Sequence, residues 1–300
     1  MTFRSGFVTL VGRPNVGKST MVNRIVGSKV AITSSRPQTT RTTVRGVLTA
    51  PTHQVVLLDT PGLHKPRTAL GRRTNERALA TLAEVDVVCL LVEASSPIGT
   101  GDRYIADLVQ AVATPRILVL NKVDAVSPEE VGRHLAQAAE RLGDFDAFVP
   151  CSARSGVGLD ALVAEVVQRL PEGPHYYPEG VVSDQPETFV AAELVREQLL
   201  RATHDELPHS ISVSCEVLDD EEDGRTHPAD VLRLLVTVRV ERESQKGIVI
   251  GRGGAMLKDA VTHARRGLEK LLGTRVYLET RVRVERDWQR RPESLDRLGF

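Results

Sequence analysis

Apolar runs of four to eight residues recur through the first half of the chain and alternate with stretches of helical character. Runs this short, bounded by turn residues and rich in Val, Ile and Leu, are typical of buried strands. The predicted strands cover residues 7–11, 46–49, 54–58, 85–92, 116–120 and 147–150. The predicted helices cover residues 19–26, 74–84, 102–111, 128–142 and 159–170. Strands that alternate with helices favour an α/β fold with a doubly wound, mostly parallel sheet.

The pattern changes near residue 171. Residues 171–186 contain four prolines and two glycines, which cannot continue a helix and therefore predict an extended linker. The elements predicted beyond it are a helix (188–204), two alternating strands (210–218 and 232–240), a short helix (245–250), a longer helix (255–272) and a strand (275–284). The chain is thus predicted to contain a first domain over residues 1–172, a linker over 173–186 and an α+β domain with a C-terminal tail over 187–300.

The turn after the first strand carries the clearest chemical signal. From Gly12 to Ser19 the spacing is G-x-x-x-x-G-K-S, in which backbone N–H groups surround a nucleotide phosphate. Lys18 supplies a positive charge toward the β- and γ-phosphates, Ser19 offers its hydroxyl to Mg²⁺, and the next helix directs its positive end at the same anion. The residues predicted to bind the nucleotide here are Gly12, Arg13, Pro14, Asn15, Val16, Gly17, Lys18, Ser19 and Thr20.

The hydroxyl-rich segment at residues 33–43 has two interpretations. Its composition is that of an ordinary solvent-exposed loop, but it also suits a switch that becomes ordered only with a nucleoside triphosphate. Thr39 and Thr40 are the candidates for its contact with Mg²⁺ and the γ-phosphate, and the sequence does not separate them. Thr40 is placed in the predicted metal set.

The motif Asp59-Thr60-Pro61-Gly62 follows a predicted strand and completes this set. An acid at the carboxyl end of a strand can hold Mg²⁺, so Ser19, Thr40 and Asp59 are the predicted metal residues. The Gly62 N–H is expected to contact a γ-phosphate oxygen. The residues predicted to act in catalysis are Lys18, Thr39, Thr40 and Gly62, and those predicted to contact the nucleotide in this motif are Asp59, Thr60, Pro61 and Gly62.

Base recognition is predicted at the ends of the last two strands of the first domain. In the tetrapeptide NKVD, the Asp124 carboxylate can accept hydrogen bonds from both N1–H and the amino group of guanine, a pair that adenine lacks. Asn121 is expected to connect this loop to the phosphate loop, and the Lys122 stem to cover one face of the base. Ser152 and Ala153 follow residues 147–150, and the Ala153 N–H is expected to approach a base oxygen.

Composition refines this picture. With 300 residues and 41% hydrophobic content, the chain has enough apolar material for two domain cores. No apolar run reaches membrane-spanning length and no signal peptide is evident, so we expect a soluble, cytosolic protein. The three cysteines are widely spaced and indicate no disulfide framework. Although the net charge is zero, residues 219–223 are all acidic and residues 242–291 contain 13 Lys/Arg against 6 Asp/Glu, which predicts a basic surface near the C-terminus.

The second domain contains a glycine loop between two predicted helices. Gly251 and Gly254 form a G-x-x-G loop, which lets the backbone approach a nucleic acid while Arg252 adds charge. Ile248, Val249 and Ile250 are expected to form a groove for unstacked bases. The residues predicted to bind RNA are Ile250, Gly251, Arg252, Gly253, Gly254 and Lys258. The order of the elements resembles a KH domain of the type II arrangement.

Nearly the whole chain is similar to the Era family of GTPases. The motifs that carry the resemblance are GRPNVGKST, PQTTR, DTPGLHKP, NKVD, SA, VIGRGG and the C-terminal LGF. It implies a P-loop NTPase domain of the Ras-like, TrmE-Era type followed by a type II KH domain. It also implies a monomeric, Mg²⁺-dependent GTPase that binds GTP and GDP. The implied partners are 16S ribosomal RNA near its 3′ end and the 30S subunit, whose assembly the protein would assist, and the implied location is the cytoplasm with peripheral contact to the inner membrane.

Three points remain open at this level. Leu63 stands where the better-known small GTPases carry a water-positioning glutamine, and His64 is the nearest polar substitute. One alternative function is an RNA-binding scaffold whose nucleotide is structural and is not turned over. Another is a P-loop kinase acting on a small molecule, which would prefer ATP.

Overall fold

A computed structural model describes residues 2–36, 38–64, 66, 68–205, 207–218 and 231–300. These residues form two units. The first unit is made mostly of residues up to Asp184 and the second mostly of residues from Gln185 onward. The acidic run at residues 219–223 lies outside the described residues. None of the described helices is both long and apolar enough to cross a bilayer.

The first unit is built on a sheet whose six described strands have helices on both faces. The strands are β1 (Arg4–Gly12), β2 (Val44–Ala50), β3 (His53–Asp59), β4 (Val87–Glu93), β5 (Arg116–Asn121) and β6 (Ala147–Pro150). The helices are α1 (Lys18–Val26), α2 (Ala69–Ala83), α3 (Thr100–Gln110), α4 (Pro128–Leu142) and α5 (Leu159–Arg169). The strand order is β2-β3-β1-β4-β5-β6, with β2 antiparallel to β3 and the other neighbouring strands parallel. The predicted α/β fold is confirmed.

Apolar clusters cover both faces of this sheet, which explains why its central strands are continuous hydrophobic runs. One cluster joins Leu10 and Cys89 to residues of α1 and α5. The other joins Val11 and Leu90 to residues of α2, α3 and α4. Because β1, β3, β5 and β6 are parallel, the motifs that follow their carboxyl ends meet at one edge of the sheet.

The segment predicted as a linker is extended and lies along β2 and β3 as far as Asp184. The buried Gln54 side chain accepts hydrogen bonds from Tyr176 N (2.7 Å) and Tyr177 N (3.0 Å) and donates to Tyr177 O (2.9 Å). Val47 N donates to Val182 O at 2.9 Å. These bonds fasten the two tyrosines to the first unit.

The second unit packs helices on a sheet whose three described strands follow the order β7-β8-β9. Its strands are β7 (Ser212–Val217), β8 (Val231–Val240) and β9 (Arg275–Val284), and its helices are α6 (Glu187–Ala202), α7 (Leu207–Ser210), α8 (Glu243–Ile250), α9 (Ala255–Leu272) and α10 (Pro292–Arg297). β8 is antiparallel to β7 and parallel to β9. Leu199, Val236 and Ala264 belong to one apolar core shared by α6, β8 and α9.

Several element boundaries differ by a few residues from the sequence prediction, and the starts of α2 and β7 are two examples. Helix α2 begins at Ala69, five residues before the predicted start, and the Thr74 hydroxyl bonds the Gly71 carbonyl inside it. A basic stretch with a glycine lacks an apolar period, so the sequence indicated a loop there. The strand predicted from residue 210 is preceded by the short helix Leu207–Ser210 and begins at Ser212.

Candidate functional site

The phosphate loop connects β1 to α1 and depends on close backbone approach. Gly17 has φ +103°, and a Cβ there would lie 2.3 Å from Asn121 Nδ2. A Cβ on Gly12 would lie 2.6 Å from the Leu91 carbonyl oxygen. A larger residue at either position would displace the loop, because contacts this short are not tolerated.

Lys18 is buried at the start of α1, with its side chain folded back over the loop. Its Nζ donates to Gly12 O at 3.2 Å and to Arg13 O at 3.1 Å. Burial lowers the pKa of Lys18 to about 8, and the Asp59 charge only partly offsets this effect. A phosphate beside the ammonium group would favour its charged form. The geometry and charge of Lys18 therefore fit an anion at this loop.

Three oxygen atoms from three different segments meet next to the loop. Ser19 Oγ lies 2.6 Å from Asp59 Oδ2, Thr40 Oγ1 lies 3.0 Å from the same atom, and the two hydroxyl oxygens are 3.0 Å apart. Adjacent ligands of an octahedral Mg²⁺ ion with ~2.1 Å bonds are separated by about 3 Å, so this donor set fits the ion. It is Thr40 whose hydroxyl joins this cluster.

Among the described residues there is no group of three or more His, Cys, Asp or Glu side chains able to hold a metal. One carboxylate and two hydroxyls leave most of an Mg²⁺ coordination shell to water and substrate phosphates, which is how this ion is usually bound with nucleotides.

The motif after β3 lies against the phosphate loop. The buried Thr60 hydroxyl donates to Leu10 O at 2.9 Å, which fixes the start of the motif on β1. A Cβ on Gly62 would lie 3.0 Å from Pro14 N, so Gly62 is within van der Waals distance of the phosphate loop. The Leu63 side chain is 3% exposed and packs in the apolar cluster on the α2 side of the sheet, directed into the core.

Asn121 joins the phosphate loop to the two segments predicted to recognise the base. Its Nδ2 donates to Val16 O at 2.7 Å, and its Oδ1 accepts from Ala153 N at 3.0 Å. The Ser152 hydroxyl donates to Asp124 Oδ1 at 2.6 Å, which orients that carboxylate. The three loops therefore form one hydrogen-bonded edge.

Two ion pairs at this edge were not predicted from the sequence. Arg13 Nε lies 2.6 Å from Asp102 Oδ1, and the Asp102 side chain is 2% exposed. Lys122 Nζ lies 2.9 Å from Glu93 Oε2, which holds the lysine stem in place. Each pair joins residues that are distant in sequence, so no local pattern signals it.

The G-x-x-G loop of the second unit lies between α8 and α9. Gly251, Gly253 and Gly254 all have positive φ angles, of 75°, 58° and 80°. A Cβ on Gly251 would lie 2.9 Å from Met256 N. Arg252 and Lys258 are exposed. The loop therefore presents bare backbone and positive charge on one short segment.

The apolar residues before this loop, Ile248, Val249 and Ile250, do not all lie on the same surface. Ile248 is 54% exposed, whereas Val249 is fully buried in the core of the second unit. The prediction that Val249 helps form a base-binding groove is therefore wrong, because helical geometry turns adjacent residues to different sides.

Trp288, the only tryptophan of the sequence, is also buried. Its exposure is 0%, its Nε1 donates to Ser210 O at 2.9 Å, and its ring lies 5.7 Å from that of Phe300. The residue packs the C-terminal tail onto the second unit and presents no face to RNA.

Two family profiles match separate parts of the chain. The profile of the 50S ribosome-binding GTPase family matches residues 7–122, and that of the KH domain matches residues 206–289. The chain is 50% identical over 300 residues to GTPase Era of Mycolicibacterium smegmatis, with 99% of each chain covered. Two crystal structures each match with a TM-score of 0.93 and 36% identity over 99% of both chains: Era in complex with MgGDPNP and nucleotides 1506–1542 of 16S ribosomal RNA, and a variant of Aquifex aeolicus Era bound to GDP and AlF4⁻. Because the chain is 36–50% identical to these relatives over nearly its full length, it belongs to the GTPase Era family.

Proposed function

We propose that this protein is a Mg²⁺-dependent GTPase that binds 16S ribosomal RNA near its 3′ end and assists assembly of the small ribosomal subunit. The observation that carries the nucleotide half is the meeting of Ser19, Thr40 and Asp59 oxygens beside the buried Lys18. The RNA half is supported by family membership and by the exposed glycine loop between α8 and α9. In this proposal residues 1–172 are the GTPase domain, 173–186 the linker and 187–300 the KH domain.

The chemistry is transfer of the γ-phosphoryl group of GTP to water. Backbone N–H groups of the phosphate loop and the Lys18 ammonium stabilise the charge that develops on the phosphate oxygens, and the Gly62 N–H contacts a γ-oxygen. Ser19, Thr40 and Asp59 would hold Mg²⁺, which when bound neutralises negative charge on the β- and γ-phosphates. Thr40 is our choice for the metal contact, and Thr39 remains a candidate for contact with the γ-phosphate.

Guanine selectivity resides in the edge organised by Asn121. Asp124, oriented by Ser152, accepts two hydrogen bonds from guanine. The Ala153 N–H donates to Asn121 Oδ1 in the structure, so its contact with the base oxygen would require that this bond be shared or exchanged. The Lys122 stem, held by its ion pair with Glu93, covers a face of the base.

RNA binding is assigned to the KH loop and its flanks, residues 250–254 and Lys258. Bare glycine backbone and positive charge suit a sugar-phosphate backbone, while Ile248 and Ile250 remain as apolar contacts for unstacked bases. We further propose that GTP orders the loops around Thr40 and Gly62 and thereby favours RNA binding, and that hydrolysis releases the RNA.

The location and partners follow from the same proposal. We propose that the protein acts in the cytoplasm, as a monomer, on the 30S subunit. Contact with the inner membrane would be peripheral, and flotation of the purified protein with anionic vesicles tests it.

Multiple-turnover phosphate release from GTP tests the enzymatic half, with ATP as the competing substrate and Lys18→Ala as the inactive control. We expect steady release from GTP alone. Release no faster than in the Lys18→Ala control would support the scaffold with a structural nucleotide, and equal turnover of ATP would support the kinase alternative.

The RNA half is tested by binding of the full-length protein to a single-stranded fragment from the 3′ end of 16S ribosomal RNA across a salt series. Lys258→Ala should weaken binding and lower the salt slope by about one, the effect of one lost phosphate contact. Lys270→Ala, an exposed lysine in the last turn of the same helix, is the matched control. Equal affinity with a GTP analogue, with GDP and without nucleotide would contradict the proposed coupling.

A further inference from the structure

We propose that Gln38 and His64 form a clasp between the two loops that close on the nucleotide, which makes both residues positioning residues for GTP hydrolysis. Gln38 Nε2 lies 2.9 Å from His64 Nε2. Gln38 stands two residues before Thr40, and His64 two residues after Gly62. The clasp thus connects the segment that brings the metal-cluster hydroxyl to the segment that brings the γ-phosphate donor. The inference rests on the proposed GTPase function.

The hydrogen-bonding pattern around the histidine has one consistent proton assignment. His64 Nδ1 lies 2.9 Å from the Gly62 carbonyl oxygen, which can only accept, so Nδ1 carries the proton. In the neutral ring Nε2 is then an acceptor, and the Gln38 amide nitrogen donates to it. One side chain therefore holds the Gly62 backbone on one side and Gln38 on the other.

The histidine backbone is fixed as well. Asn75 Nδ2, on α2, donates to the His64 carbonyl oxygen at 2.6 Å, and Asn75 is 8% exposed. Helix α2 thereby anchors the His64 end of the clasp. The clasp can hold the Gln38 segment because His64 is itself attached to a rigid element.

The glutamine adopts an uncommon backbone conformation to reach its partner. Gln38 has φ +61°, in the left-handed region that residues other than glycine enter at a cost. Such a conformation persists only where surrounding contacts support it. The hydrogen bond to His64 is such a contact.

This arrangement assigns His64 a role different from that of a water-orienting residue. Both of its ring nitrogens are engaged with protein atoms while the Thr40 hydroxyl lies at Ser19 and Asp59. Leu63 points into the core, so it also takes no part in orienting water. His64 acts on the reaction through Gly62 and through Gln38.

The test compares Gln38→Met, His64→Phe and the double variant with Thr42→Ala, a polar residue of the same loop outside the clasp. The variant His64→Asn keeps a donor for the Gly62 carbonyl but is too short to reach Gln38. Two kinds of measurement are made on the full-length protein. The first gives kcat and KM for GTP, and the second gives the dissociation rates of fluorescent, slowly hydrolysed GTP and GDP analogues.

We expect Gln38→Met to release the GTP analogue about threefold to tenfold faster, the effect of one neutral hydrogen bond, and to lower kcat by a similar factor. His64→Phe also loses the bond to the Gly62 carbonyl oxygen, so its effects should be at least as large. Release of the GDP analogue should change less than about twofold, since closure depends on the γ-phosphate. His64→Asn should match Gln38→Met. The double variant should release the GTP analogue no faster than the more strongly affected single variant, because both substitutions remove the bond between Gln38 and His64.

Unchanged release of the GTP analogue in the single variants would overturn the clasp, as would effects that multiply in the double variant. A general structural role would instead accelerate release of both analogues and lower the melting temperature. Analogue release does not require turnover. A wild-type protein that hydrolyses GTP no faster than Lys18→Ala would therefore refute the proposed function while the release rates still decide the clasp.

Discussion

Replacement of Asn121 by alanine should separate the three loops that form the nucleotide edge. The side chain is 1% exposed, donates to Val16 O and accepts from Ala153 N. Alanine removes both bonds and fills none of the space beside Gly17. Two buried backbone groups lose their partner at once, one on the phosphate loop and one on the loop that we propose contacts the base.

The magnitude follows from those two groups. Leaving a buried donor or acceptor unsatisfied costs about 1–3 kcal/mol, so the two groups together predict that Asn121→Ala lowers the free energy of unfolding by about 2–6 kcal/mol, with the lower part of the range applying if water enters. Nucleotide binding needs both loops in their wild-type positions. If nucleotide binding depends on even one of these contacts, the variant should bind GDP at least about tenfold more weakly, equivalent to ~1.4 kcal/mol.

The assay pairs urea unfolding without nucleotide with GDP titration by calorimetry. Asn23→Ala is the matched control: its amide donates to Ala31 O and accepts from Val30 N and Ala31 N, so it removes bonds of the same kind away from the base-contacting loops. Both variants should lose stability, and Asn121→Ala should lose much more affinity. The reasoning is refuted if Asn121→Ala unfolds within 0.5 kcal/mol of wild type, about the scatter of a neutral surface change, or if the two variants bind GDP equally.

Three further predictions concern charge, base selectivity and the linker. Because burial lowers the pKa of Lys18 to about 8 and a bound phosphate keeps the ammonium group charged, GDP binding takes up a proton, and GDP affinity should fall about fourfold from pH 7.0 to 8.5. Calorimetry in buffers of different ionisation enthalpy should show this proton uptake, and its absence would contradict the burial argument. Asp124→Asn should weaken GTP binding and favour xanthosine triphosphate in competition, since the amide can donate where the carboxylate accepts; unchanged preference would remove Asp124 from the base site. Gln54→Leu should speed amide hydrogen exchange at Tyr176 and Tyr177 about tenfold or more, from the loss of two hydrogen bonds; unchanged exchange would mean that other contacts hold the segment.

Much of the fold was predictable because its signals are local. A strand followed by a glycine-rich turn and a helix specifies the phosphate loop from contiguous residues, and the alternation of strands and helices specifies the doubly wound sheet. The start of α2 was missed because its first turn is basic and contains Gly71. Val249 was misassigned because three adjacent apolar residues do not reveal which of them faces the core.

The sequence by itself determined which motifs exist and, through the parallel strands they follow, that they share one edge. Tertiary structure decided which side chains meet there: Thr40 at the Ser19 and Asp59 oxygens, and Gln38 at the ring of His64. It also decided that Trp288 packs inside the second unit. The physical reason is that a backbone turn is specified by neighbouring residues, whereas a hydrogen bond between distant segments depends on where the packed core places them.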